Sequence, residues 1–359
     1  MRKLLIVILA AFLLAGQAFA AEVPEDLTDA LPEQTEDFLR DGEFSTAEGF
    51  AEAVENLLQQ TAGQAGKILR QRLRGAAAVL LAVVLCSMVE GFRQGIGGKS
   101  VPDLLPLVGA FTVTLLAAGD MEILMGLGRQ TIEDLALFSR VLLPTLAAAT
   151  AAAGGISAAT AQKVTAVLLV ELLITLIRRL LLPLLYLYIG VLTAACALPE
   201  NRLEALAAGL KKTVTWCLTT ALLCFTLYLS LVRVVTGAVD AVSVRVAKAA
   251  ISGVVPVVGG IISEAAETVL AGAGVLKNTV GIFGTVAVLA ICLLPFLHLG
   301  IQYLLYKMTA FFAAAMGVPK LCKLIDGLGG AFGLLLGMTG SCALLLLISV
   351  LSSVAAVVP

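Results

Sequence analysis

His298 is the only histidine in this 359-residue chain, and the seven cysteines, Cys86, Cys196, Cys217, Cys224, Cys292, Cys322 and Cys342, form no Cys-x-x-Cys pair. Most metal sites, a Ser-His-Asp triad and a Cys-His dyad draw on imidazoles as ligands or bases, and one histidine cannot supply them. An odd number of cysteines at irregular spacing, mostly within or beside apolar stretches, reads as small buried hydrophobes rather than a disulfide framework. Gly98-Lys99-Ser100 has the ending of a phosphate-binding loop. The first glycine of that motif would fall on Arg93, and no strand precedes it, so the amide cradle cannot form. The residues therefore predict no cofactor, no metal and no enzymatic activity.

What remains is a set of polar groups in apolar surroundings. Glu171 stands alone within Val164 to Ile177, and Arg140 interrupts another apolar stretch. An ionisable group at membrane depth is costly and normally faces a partner or water, which makes each a candidate site. His298 follows Pro295 and is either a proton relay or the partner of a carbonyl freed by that proline.

At 100° per residue, Arg233, Thr236, Asp240, Ser243 and Lys248 fall within about 140° of a helix circumference. The broken apolar segment Val254-Val-Pro256-Val-Val-Gly259-Gly260 follows, then Glu264, Glu267 and Lys277. Arg233, Asp240, Lys248, Glu264, Lys277 and Glu171 are thus the candidate water-facing groups, with Pro256, Gly259 and Gly260 as hinge or re-entrant positions. The region from Arg233 to Lys277 either lines a wet cavity or lies on the bilayer surface. Gly329, Gly333, Gly337 and Ser341 recur every four residues and make one helix face that another backbone can approach closely, in the same subunit or in a second copy.

These residues must be carried by helices in lipid. The chain is 60% apolar and 14% charged, with a mean hydropathy of +1.02, against ~25% charged residues in soluble domains. The clearest predicted spans are Leu180 to Leu198, Val214 to Val232, Val280 to Ile301 and Ala331 to Val358, each long enough for ~30 Å of hydrocarbon. Ala76 to Val89, Leu104 to Ala118, Val141 to Ala153 and Val164 to Ile177 are shorter and read as short spans, re-entrant pieces or interfacial helices. Leu-Leu-Pro ends at Pro106, Pro144, Pro183 and Pro295, a spacing that hints at repeated helical hairpins.

Arg2 and Lys3, the apolar run Leu4 to Ala15 and Ala18-Phe19-Ala20 make residues 1–20 a cleaved signal peptide. An acidic extracytoplasmic segment, 21–75, and a multi-span membrane domain, 76–359, follow. From Glu22 to Glu55 there are 12 acids and one base; from Asn56 onward there are 13 acids and 21 bases. Those bases are spread between apolar segments, as loops and lipid headgroups require, and give no clustered face for nucleic acid. The expected fold is an all-α, polytopic helical bundle with short amphipathic and broken helices. It suits a channel component, a secondary transporter for a small solute in which Glu171 matters, or a structural anchor that recruits partners.

Read in series, Leu181-Leu-Pro-Leu-Leu-Tyr-Leu-Tyr-Ile-Gly190, Ser252-Gly-Val-Val-Pro-Val-Val-Gly-Gly-Ile-Ile-Ser263, Leu276-Lys-Asn-Thr-Val-Gly-Ile-Phe-Gly284 and Tyr306-Lys-Met308 resemble the stage III sporulation protein AE family. The resemblance extends from about residue 75 to the end. It implies a multi-pass protein of the mother-cell membrane around the forespore, working with other membrane proteins of the same sporulation operon and a forespore-membrane partner. It further implies a transenvelope, secretion-like channel complex, with a homo-oligomer as one possible form, and lends no catalytic residues.

Overall fold

Lipid offers no hydrogen bonds, so a chain this apolar must satisfy its backbone within itself, which helices do. The computed structural model describes residues 23–32, 35, 47–95, 105–153, 167–198, 201–254 and 259–355, and, of these, no side chains at 47–49, 93–95, 105, 201, 229–271 and 355. All regular structure among the described residues is helical.

A short α1, Glu25–Asp29, precedes α2, Ala47–Gly95, and α3, Leu105–Ala152. Helix α4, Val167–Ala197, contains a π-helical turn at Ile177–Leu181. Then come α5, Asn201–Val254, α6, Gly259–Ala315, and α7, Pro319–Ala355. Five of the described helices, α2, α3, α4, α6 and α7, are long and apolar enough to cross a membrane. The expected span Val214 to Val232 lies within α5. The expected signal peptide, residues 1–20, lies outside the described residues, as does most of the acidic stretch before Ala47.

The short apolar segments are not separate pieces. Leu104 to Ala118 and Val141 to Ala153 fall, from Leu105, on the single 48-residue helix α3, and Ala76 to Val89 is part of the 49-residue α2. The charges between such runs look like breaks in the sequence, but no proline accompanies them, and several find partners on neighbouring helices. The boundary expected at residues 75 and 76 therefore falls inside α2. The amphipathic stretch Arg233 to Lys248 is likewise the far part of a 54-residue helix rather than a short helix of its own.

The long helices alternate in direction. Arg72 of α2 meets Asp120 of α3, while Cys86, further along α2, lies beside Gly109, nearer the start of α3. Arg140 meets Glu171 near the other end of α3 and the start of α4. Tyr188 of α4 donates to the Gly327 carbonyl of α7; Lys323 of α7 pairs with Glu204 of α5. Between α6 and α7 the chain reverses through Met316, Gly317 and Val318, and Gly317 adopts φ of 77°, open to a residue without Cβ.

Helices α6 and α7 form the centre. Of their most apolar stretches 61% and 56% are buried, against 28% for α2. Leu81, Phe111, Leu115, Trp216 and Leu223 stand exposed on the outer helices. Large bare apolar side chains in such number are what a lipid-facing surface presents.

The four Leu-Leu-Pro prolines occupy unlike places. Pro106 opens α3 and Pro144 and Pro295 sit inside helices. Pro183 lies two residues past the π turn, where the Leu182 N–H reaches back five residues to the Ile177 carbonyl. A proline clashes with the carbonyl four residues before it, and the wider turn makes room.

Candidate functional site: a buried polar network and an arginine crevice

On α6, His298, Gln302 and Tyr306 recur every fourth residue and so share one face. That face meets Arg72 of α2 and Asp120 of α3. The Arg72 Nη1 lies 3.0 Å from Asp120 Oδ1, with the two side chains 7% and 18% exposed, and Gln302 Nε2 donates to Asp120 Oδ2 at 2.8 Å. Both carboxylate oxygens are thus engaged by donors from two other helices, the condition under which a buried charge is tolerated. Gly75 lies one turn beyond Arg72, where a Cβ would stand 2.8 Å from Asp120 Oδ2. A side chain at this position would press on that carboxylate, and glycine leaves it undisturbed.

The network is incompletely satisfied. Arg72 Nε, His298 Nδ1, Gln302 Oε1 and the Tyr306 hydroxyl are buried and have no hydrogen-bond partner among the described residues. Each such atom costs ~1–3 kcal/mol if left dry, so buried polar clusters of this kind hold water or another polar group. A cavity of about 530 Å³ adjoins it, lined among others by Gln64, Gln130, Thr131, Asp134, Pro295 and His298. Pro295 supplies no N–H to the Ile291 carbonyl, which adds an acceptor where Ile291 itself lines the cavity.

A second polar constellation lies between α3 and α4. Arg129, Arg140, Glu171, Thr175, Arg178 and Arg179 line a crevice of about 450 Å³. Arg140 Nη2 donates to both oxygens of Glu171, at 3.1 and 3.3 Å. Arg129 Nε and Arg178 Nη2 both approach Glu133 Oε1, each at 3.2 Å. The π turn carries Arg178 and Arg179.

The residues singled out by sequence fall on several helices. Glu171 is half exposed and partnered by Arg140; Lys277 is buried in α6. Arg233, Asp240 and Lys248 lie on α5 and Glu264 on α6, but their side chains are outside the described residues, as is Pro256 altogether. Gly259 and Gly260 open α6. A Cβ at Gly329 would lie 3.1 Å from Tyr306 Cβ and one at Gly333 3.1 Å from the Tyr303 ring, so these two glycines seat α7 on α6. Gly337 faces Leu218 of α5, and the Ser341 hydroxyl donates to the Gly337 carbonyl at 2.6 Å. The stripe thus meets two helices of the same chain.

Sequence reasoning missed Arg72, Asp120 and Gln302. Asp120 and Glu122 between two apolar runs, and polar residues four and eight positions after His298, were the available signals. Among the described residues no three His, Cys, Asp or Glu side chains gather as a metal site would require, and all seven cysteines are free thiols.

Long apolar helices, bare leucines on the outside and paired charges within define a multi-pass α-helical membrane protein. The family model for stage III sporulation protein AE matches residues 34–357. The chain belongs to that family. It is similar to the stage III sporulation protein AE of Bacillus subtilis (strain 168), 21% identical over 248 residues that make up 69% of this chain and 62% of that protein. The match therefore spans somewhat less than two thirds of the relative's length. No solved structure matches.

Proposed function

We propose that this protein is a non-enzymatic membrane component of a transenvelope, secretion-like channel complex required during endospore formation, linking mother cell and forespore. It sits in the mother-cell membrane around the forespore and assembles with other membrane proteins of the same sporulation operon and a forespore-membrane partner. The observation that carries this reading is the family match from 34 to 357, laid on a bundle with five helices able to cross a membrane. The buried network supports it as a structural lock, since Asp120 ties α2, α3 and α6 in one register.

Gentle extraction of the tagged protein from membranes of sporulating cells tests the reading. A large assembly containing extracytoplasmic partners is expected; recovery as a lone monomer overturns it. Within the assembly, Asp240→Leu with Lys248→Leu is expected to lower spore yield while leaving the complex intact. Unchanged yield removes those two residues from the water-facing set.

One observation favours a secondary transporter instead, namely the cavity that meets His298 beside the Arg72–Asp120 pair. That reading requires saturable solute uptake by the purified protein in vesicles, abolished by Asp120→Asn. A linear or absent response eliminates it.

A further inference from the structure

We propose that the crevice between α3 and α4 is a binding site for the phosphodiester headgroup of an anionic phospholipid. Four guanidinium groups line it, from Arg129 and Arg140 on α3 and Arg178 and Arg179 on the π turn of α4, against one carboxylate in the lining, Glu171. Glu133 adds a second negative charge by bonding both Arg129 and Arg178. Two positive charges are left over. Arg179 has no ion pair among the described residues, and a guanidinium carries five N–H donors, of which the pairs above use one or two each.

The volume, about 450 Å³, suits a polar headgroup. Flanking residues decide between a lipid and a free anion. Leu137, Leu168, Leu172, Tyr186 and Leu187 are all more than half exposed around the same two helices. An occupant is therefore offered guanidiniums for phosphate oxygens and bare leucines for acyl chains, which a dissolved anion cannot use. Planar, forked donors match phosphate oxygens two at a time, and basic pockets between membrane helices take anionic headgroups by this geometry. The π turn sets two adjacent arginines in the lining, a local irregularity of the sort found at binding sites.

The test is native mass spectrometry of the full-length protein in mild detergent, titrated with phosphatidylglycerol. Arg179→Gln is the main variant, because no ion pair depends on Arg179; Arg179→Lys keeps charge without the fork. Lys323→Gln, an exposed cation paired with Glu204 elsewhere, is the control. The native protein is expected to retain phosphatidylglycerol over phosphatidylcholine. Arg179→Gln should weaken retention about tenfold, the loss of one charge-assisted contact, with Arg179→Lys intermediate and Lys323→Gln unchanged. Unaltered helicity of Arg179→Gln by circular dichroism separates this from misfolding; if that variant does not fold, Arg179→Lys alone must still weaken retention. Equal retention of both lipids, equal weakening by Lys323→Gln, or displacement by millimolar inorganic phosphate would each overturn the proposal.

Discussion

Arg72–Asp120 and Arg140–Glu171 are the same chemical pair at nearly the same distance, 3.0 and 3.1 Å. Their surroundings separate them. The first is almost enclosed, its carboxylate shared with Gln302 from a third helix; the second stands on an outer flank with both side chains at least half exposed. An enclosed pair is costly to break because the survivor is left as an unpaired charge, whereas an open pair leaves both partners with other contacts. The inner pair therefore holds helices together, and the outer pair leaves its arginine available to something else.

The strongest way to break this contrast is to remove one inner partner. Asp120→Ala or Arg72→Ala is expected to destabilise the bundle by ~3–5 kcal/mol, read as loss of the protein from membranes or a lower unfolding temperature in detergent. Replacing both, Arg72→Met with Asp120→Leu, should recover much of that loss, since no charge is stranded. If the double variant is no better than the singles, the pair is not the lock. Gly329→Leu comes next: a larger side chain against Tyr306 and the α6 backbone is expected to cost ~1–3 kcal/mol by overpacking, with the same readouts. The smallest effect belongs to the outer pair. Glu171→Gln should change stability by no more than ~1 kcal/mol, and a loss as large as that from Asp120→Ala would erase the distinction.

Much of the architecture was legible because its cause is local. Leu180 to Leu198, Val280 to Ile301 and Ala331 to Val358 each lie almost wholly on one helix, since apolar length alone specifies a span. The glycine stripe was visible as a face, but its neighbours, Tyr303, Tyr306 and Leu218, belong to other helices and no spacing names them. The network was hidden for the same reason. Asp120 finds Arg72 48 positions away and Gln302 182 positions away. A charge whose partners are that remote looks like an interruption in the sequence, which splits α3 into two short apolar runs. Glu171 and Arg140 each stand alone in the sequence, and their pairing appears only when α3 and α4 lie side by side.

The π turn of α4 can also be viewed as an indexing device. It holds one residue more than a regular turn would take, so everything after Leu181 is rotated by about 100° relative to an uninterrupted helix. Before the turn, Glu171 faces α3; after it, Tyr188 and Leu192 face α7, at Gly327, while Thr193 still reaches Thr114 of α3. One helix thereby keeps α3 on one side and turns a second face to α7. Pro183 keeps the index from slipping back.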